Sequence, residues 1–330
     1  MPAYRVRRRR RVASLATALA AVVVVAGQAL LPTPASAAVS PSLALSRSIV
    51  AVNTAVQATG QVPAGSRDVV LQWRSGSGWR RAASGQTASD GSYRLAVPTG
   101  WYNTVDYRVV APADGLLRPA VTTPTARLHV VPSYRPPGKA SQHTFLSQAP
   151  GPLPRFDPCR TVSYRINLHH APSHARSQVT HAFKVLGKAT GLHFRDAGSV
   201  SGVPTTRGFR DPGGITVAWT SARTVPALAG ATLGIGGFRD RWSGSINNVH
   251  ITSGYAVLEA GSTLRRGFGA GKTWGALLLH ELGHAVGLGH TSARSQIMYP
   301  MLQNRAAARY GKGDLAGLHA LGAAQGCIPR

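Results

Sequence analysis

The chain has 330 residues, of which 37 are lysine or arginine and only 11 are aspartate or glutamate, so its formal net charge at pH 7 is +26. This length is enough for two folding units, each with its own core. The basic residues are scattered and no nucleic-acid recognition motif accompanies them, so we expect no nucleic-acid partner.

Residues 1–37 have the pattern of an export signal. Arg5 and residues 7–11 form a basic start, residues 12–31 are mostly apolar, and residues 35–37 read Ala-Ser-Ala, which fits a cleavage site. The apolar run is long enough to span a membrane, but the small-residue site that follows favours cleavage. We therefore expect a secreted, extracellular protein that is released by the general secretory route or loosely associated with the cell wall.

The mature chain stays strongly basic. Six of the 26 net positive charges belong to arginines of the export signal, which leaves +20. One interpretation is peripheral attraction to an anionic surface such as a cell-wall polymer. The other is a codon bias that favours arginine, and the sequence does not decide between them.

Residues 41–131 have the pattern of an all-β domain. Short alternating runs such as Val69–Trp73, Ser92–Val97 and Val105–Val109 are separated by turn signals such as Asp90-Gly91. About seven short strands fit a β-sandwich, and the pattern resembles the immunoglobulin-like modules of secreted bacterial proteins. Residues 132–156 are rich in proline and are predicted to be an extended, semi-rigid linker.

Residues 157–330 mix helix and strand patterns, which predicts an α+β domain. Strand patterns occur at Val162–Leu168, His193–Arg195, Ile215–Trp219 and Ile246–Ser253. A helix is predicted from Ser173 to Thr190, with Gly191 ending it, and a last helix from about Gly313 to Leu321.

The most specific motif is H-E-x-x-H-x-x-G-x-x-H at residues 280–290. His280 and His284 are four residues apart, so they project from one face of a helix, and Gly287 allows the chain to turn and bring in His290. Three histidines leave the fourth position of a zinc ion open, as in catalytic sites. Glu281 lies next to a ligand, where it can take a proton from a zinc-activated water.

A methionine follows this motif at a characteristic distance. Met298 lies eight residues after His290, in the sequence Ile-Met-Tyr-Pro. Together the two motifs resemble the metzincin metalloproteases, and the matrixin branch in particular. The resemblance implies a catalytic domain with a twisted mixed sheet, an active-site helix and a Met-turn at Met298, and it implies one catalytic zinc ion and a protein or peptide substrate.

The resemblance also implies where that substrate lies. Tyr299, Pro300 and Met301 are candidates for lining the pocket for the residue after the cleaved bond. The segment Ala227–Leu233 occupies the place of the sheet edge along which the peptide lies. The structural zinc and calcium sites of matrixins are doubtful here, because only seven acidic residues lie between Asp157 and the C-terminus.

The two cysteines, Cys159 and Cys327, bracket the predicted catalytic domain. Export permits a disulfide between them. The alternative is that Cys159 is a latency thiol that binds zinc, as in matrixin propeptides, although the residues around it depart from the latency motif.

Two functional alternatives to a general endopeptidase stay open. The chain could be a cell-envelope binding protein whose zinc domain is catalytically silent, with the β-domain performing the function. It could also be a processing enzyme that acts on one partner protein. The physiological substrate and the oligomeric state do not follow from the sequence.

Overall fold

The computed structural model describes residues 39–148, 150–242 and 249–328. The predicted export signal at residues 1–37 lies outside this part of the chain. Among the described residues, no helix combines the length and the apolar character that a membrane crossing requires. The described chain is a mixed α+β protein in which strands outnumber helices.

Nine strands lie between residues 44 and 131, where the sequence predicts about seven. They are β1 (Ala44–Leu45), β2 (Ile49–Ala51), β3 (Val56–Gln61), β4 (Asp68–Ser75), β5 (Gly78–Gln86), β6 (Ser92–Val97), β7 (Asn103–Ala111), β8 (Val121–Thr122) and β9 (Ala126–Val131). One sheet has the order β1-β3-β6, and the other has the order β2-β9-β7-β4-β5 with β8 paired to β7.

The two sheets share one apolar core. Alternate side chains of β7 are buried, as the period of two residues along a strand requires. Val109 of β7 and Leu71 of β4 are fully buried, and they belong to the same cluster as Ala58 of the three-stranded sheet. The alternating pattern in the sequence therefore corresponds to inward-facing residues of two packed sheets.

The second half of the chain contains a five-stranded sheet and three helices. The strands are β11 (Val162–Asn167), β12 (Phe194–Ser199), β13 (Gly214–Thr220), β14 (Gly234–Trp242) and β15 (Val249–Glu259). The helices are α1 (Ala175–Thr190), α2 (Trp274–Ala285) and α3 (Lys312–Leu321). The sheet order is β12-β11-β13-β15-β14, with β14 antiparallel and the other pairs parallel.

A second apolar core joins this sheet to the helices. It includes Phe183 of α1, Trp219 of β13, Leu278 of α2 and Leu318 of α3. Helix α1 ends at Gly191, as predicted, with the glycine in the left-handed conformation at φ 72°. Its first turn differs from the prediction: the N-cap is His174 rather than Ser173, and no side chain caps the helix.

The edge of the five-stranded sheet differs from the prediction. The sequence predicts Ala227–Leu233 at the substrate edge, but residues Pro226–Leu228 form a short 3₁₀ helix, and the strand at this edge is β14. Proline fixes φ and lacks a backbone N–H, and Gly230 turns the chain with φ 73°. The chain therefore becomes extended only after this turn.

The segment predicted as a linker lies against the second half of the chain, and the described residues 132–148 and 150–156 include turns and bends. The Tyr134 hydroxyl donates to the carbonyl of Tyr310 at 2.8 Å, and the N–H of Lys312 donates to the carbonyl of Pro137 at 2.8 Å. Further along, β10 (Thr144–Phe145) pairs with β16 (Leu288–Gly289). The segment therefore contributes structure to the second half of the chain.

The two cysteines form a disulfide. Cys159 and Cys327 are bonded, with Cα atoms 5.4 Å apart and a sequence separation of 168 residues. The bridge confirms the predicted pairing and excludes a free latency thiol at Cys159 in this structure. It joins the start of the five-stranded region to the end of the described chain.

Candidate metal centre and cleft

Helix α2 carries the histidine motif and is buried along its whole length. The Thr273 hydroxyl caps the helix by accepting the N–H of Ala276 at 3.1 Å. The helix ends at Ala285, and Gly287 adopts φ 112°, which permits the turn predicted at this position. Apolar residues on both sides of the helix make it a core element, so its histidines are held inside the protein.

The three histidines of the motif converge. The Nε2 atoms of His280, His284 and His290 lie 3.1–3.2 Å from one another. A zinc ion bound tetrahedrally at about 2.0–2.1 Å from three nitrogens requires them to be about 3.3–3.4 Å apart. The arrangement therefore fits a metal ion with one open position, and these residues form a group that could bind one.

Backbone carbonyls set the tautomer of two of these rings. His280 Nδ1 lies 2.7 Å from the carbonyl oxygen of Ile297, and His284 Nδ1 lies 2.7 Å from that of Leu288. Each Nδ1 must carry the hydrogen to donate, so each Nε2 presents a lone pair to the centre of the group. Lone pairs that face one another at 3 Å repel, and a shared cation removes this repulsion.

Burial keeps the rings neutral. It lowers the pKa of His280 to about 4 and that of His284 to about 3, because the charged form loses its hydration. Burial also lowers the pKa of His290, which is less buried. Near neutral pH all three are therefore neutral, the form that binds metal.

Glu281 lies against the edge strand. Its side chain is 3% exposed, and a Cβ added to Gly234 of β14 would lie 2.8 Å from its Oε1 atom. A Cβ on Gly236 would lie 2.3 Å from the Glu281 carbonyl oxygen, so only glycine permits this approach of β14 to α2. Burial raises the pKa of Glu281 to about 8 in the metal-free chain.

Met298 packs against helix α2 at Gly283, between His280 and His284. It is 1% exposed, and a Cβ on Gly283 of α2 would lie 2.5 Å from its Sδ atom. Asp314 of α3 fixes the turn around it, since its carboxylate accepts the N–H groups of Ile297 at 2.7 Å and Met298 at 3.3 Å. The same turn supplies the Ile297 carbonyl that orients His280, so α3 supports the metal centre through the backbone.

An open cleft of about 770 Å³ lies over the histidines and Glu281. Of the three predicted pocket residues, Pro300 and Met301 line this cleft. Tyr299 does not line it; its ring lies 5.7 Å from the guanidinium of Arg294. The remaining lining is largely apolar and includes Leu146, Leu233, Ile235, Leu277 and Leu302.

Several residues of this site carry no recognisable motif in the sequence. Asp314 is an isolated acidic residue 16 positions after Met298. No pattern in the neighbouring sequence indicates that it binds the Met298 turn. Leu146 lies in a segment that sequence reasoning assigns to a linker. Gly234 and Gly236 are spaced by two residues in a strand, which is a signal for close approach of another element, but it does not identify that element.

One protein-family model matches part of the chain. The model described as Matrixin (Peptidase_M10) matches residues 253–322, which include α2, the three histidines and Met298. This match suggests a metallopeptidase for that region, with zinc as the metal and proteins or peptides as substrates. A comparison with curated proteins finds no match.

Two solved structures share only limited similarity with the chain. One belongs to a study of T cell specificity and activation by the bacterial superantigen toxic shock syndrome toxin-1. It is 12% identical, with a TM-score of 0.23, and covers 28% of this chain and 99% of its own. The other is a putative glycoside hydrolase from Bacteroides vulgatus, 14% identical with a TM-score of 0.20 over 52% of this chain. This chain spans 28% of the hydrolase's length.

Proposed function

We propose that the chain is a secreted zinc endopeptidase of the matrixin-like metzincin type. The observation that carries the proposal is the convergence of three Nε2 atoms beside the buried Glu281, at the base of an open cleft. Three protein ligands and one open position are the arrangement of catalytic zinc sites. The partial matrixin match over the same residues supports the assignment.

His280, His284 and His290 hold the zinc ion, which when bound supplies the Lewis acidity that makes water a nucleophile near neutral pH. Glu281 is the general base: it accepts a proton as water attacks the peptide carbonyl and then delivers the proton to the leaving amine nitrogen. Its position beside His280, with little exposure to solvent, keeps the carboxylate oriented towards the cleft floor. Met298 forms the apolar base of the centre without serving as a ligand.

The peptide substrate lies along β14. In the described part of the sheet this strand is one of the two edges, opposite β12, and it runs directly over Glu281. An extended peptide can add to such an edge through backbone hydrogen bonds, while pockets select its side chains. The lining by Leu233, Leu277, Met301 and Leu302 favours apolar residues near the cleaved bond.

The remaining assignments concern organisation and location. Residues 1–37 are an export signal, residues 41–131 an immunoglobulin-like β-sandwich domain, and residues 157–330 the catalytic domain. The exported chain carries a net charge of +20, which supports peripheral association with an anionic cell wall. Its two cysteines form the kind of bridge that persists in oxidising surroundings.

Peptide-library cleavage mapped by mass spectrometry tests the proposal. The wild-type protein, loaded with zinc, is expected to cut library peptides, and a chelator is expected to stop the cutting. Metal content measured in parallel should give one zinc ion per chain. A protein that binds one zinc ion but cuts no library peptide would instead be either a binding protein with a silent zinc domain or a processing enzyme that acts on one partner protein.

A further inference from the structure

The segment before the five-stranded sheet reaches the cleft. β10 pairs antiparallel with β16, with Thr144 opposite Gly289 and Phe145 opposite Leu288. Since His290 directly follows β16, this pairing lies beside the third imidazole. A segment from outside the motif therefore borders the candidate metal centre.

Hydrogen bonds and close packing hold this segment in place. The Thr144 hydroxyl donates to the His290 carbonyl at 2.5 Å, and the N–H of Leu146 donates to the Gly287 carbonyl at 2.9 Å. A Cβ on Gly289 would lie 2.8 Å from the Phe145 carbonyl oxygen, so glycine is needed for the contact. The backbone at Leu146 is thus fixed relative to His290.

The side chain of Leu146 is open to solvent within the cleft. It is 40% exposed, although it is large and apolar, and it lines the same cleft as Glu281 and His290. Met301 is the other exposed large apolar residue in this lining, at 61%. Covering such surface with an apolar group is favourable because it removes apolar area from water.

We propose that Leu146 is a specificity-determining residue that forms a subsite for an apolar side chain of the peptide substrate. The inference rests on the proposed endopeptidase function. It adds that the segment before the predicted catalytic domain contributes to substrate selection. Because the backbone is pinned at Gly287 and His290, the subsite is preformed and needs no closure of a loop.

The test compares cleavage profiles of the wild type, Leu146→Ala and Leu146→Asp on one peptide library. Leu146→Ala is expected to reduce kcat/KM for peptides with leucine or phenylalanine at one substrate position by about 3- to 10-fold relative to alanine at that position. Leu146→Asp is expected to create a preference for lysine or arginine at the same position. A damaged fold would not produce this new preference.

Leu117→Asp is the matched control. Leu117 is 95% exposed in the first half of the chain and does not line the cleft. This variant makes the same change in charge and volume, so it should leave the cleavage profile unchanged. A shift of the profile in Leu117→Asp equal to that in Leu146→Asp would overturn the proposal.

A binding measurement separates this inference from the proposed function. Fluorescence anisotropy of a labelled apolar peptide on the zinc-loaded Glu281→Gln protein, with and without Leu146→Asp, reports contact without turnover. If the wild type cuts peptides but neither the profile nor the binding depends on residue 146, the subsite is wrong and the endopeptidase stands. If no peptide is cut but peptide binding depends on residue 146, the subsite stands and the proposed activity fails. If no peptide is cut and binding does not depend on residue 146, both the subsite and the proposed activity fail.

Discussion

His280 Nδ1 lies 2.7 Å from the carbonyl oxygen of Ile297, one residue before Met298. This contact joins helix α2 to the Met298 turn. Asp314 holds the same turn by accepting the N–H of Ile297 at 2.7 Å. The His280 ring is therefore oriented by a backbone whose position depends on α3. Outer contacts of this kind fix the tautomer of a metal-binding histidine and raise its basicity.

Glu281→Gln should abolish cleavage and retain zinc. The amide cannot accept the proton from water, and general bases contribute about 10²- to 10⁴-fold to rates. Cleavage rate and zinc content measure the two effects separately. The matched control is Glu259→Gln, which changes the only other glutamate of the sequence, at the end of β15. Equal losses of cleavage rate in both variants would show that Glu281 is not the general base.

Gly283→Ala should destabilise the protein, because the added methyl group on α2 would clash with the Met298 side chain. The added Cβ would lie 2.5 Å from the Met298 Sδ atom, and overpacking of a core costs about 1–3 kcal/mol. Met298→Ala should relieve that clash, so the two changes together should cost less than the sum of the single changes. Urea unfolding of all four proteins gives the coupling energy. Additive costs would show that the Cβ does not act through Met298.

The contribution of Asp314 to the stability of the metal-free protein should fall as pH rises from about 4 to about 6. Burial raises the pKa of Asp314 to about 6 from the ordinary value of 3.8, so the folded protein holds this proton more tightly than the unfolded chain. The free energy of unfolding then decreases across this window by about 3 kcal/mol from this group. Below pH 4 the contribution is fully present, and above pH 6 it is lost.

Asp314→Asn tests the origin of this pH dependence. The variant has no proton to lose at this position. The free energy of unfolding of the wild type minus that of Asp314→Asn should therefore decrease between pH 4 and 6 when both are measured with a chelator. Asp114→Asn, at an exposed position in the first half of the chain, should retain the wild-type slope. An unchanged slope in Asp314→Asn would mean that another group titrates.

Removal of the disulfide should lower stability without moving the metal centre. A loop of 168 residues corresponds to about 5 kcal/mol in the chain-entropy model, which is an upper expectation. The double variant Cys159→Ser with Cys327→Ser should therefore unfold at a lower urea concentration than the wild type, with unchanged zinc affinity. The reduced wild type should match the double variant, and a midpoint that reduction does not shift would contradict the expectation.

Local patterns predicted the elements with strong periodicity. The alternation at Val105–Val109 and the glycine after Thr190 correspond to a strand and a helix end in the structure. The H-E-x-x-H spacing predicted which side chains meet, because a helix fixes the geometry of residues four apart. These features are set by residues close together in the sequence, so they can be predicted from the sequence alone.

Long-range contacts were not predictable in the same way. The approach of Asp314 to the Met298 turn and of Leu146 to His290 depends on packing between segments far apart in the chain. The sequence predicts the substrate-edge strand at Ala227–Leu233, whereas that strand begins at Gly234. Pro226 and Gly230 permit a turn whose length the pattern does not reveal. Tyr299 lies outside the cleft that Pro300 and Met301 line.

The pairing of Thr144–Phe145 with Leu288–Gly289 limits where a recombinant fragment of the second half of the chain can begin. A recombinant fragment that begins at residue 157, the predicted start of the catalytic domain, would lack Tyr134, Thr144 and Leu146. It would expose the edge of β16 next to His290 and lose the hydrogen bond from Tyr134 to Tyr310. The shortest fragment that preserves these contacts must therefore begin no later than Tyr134.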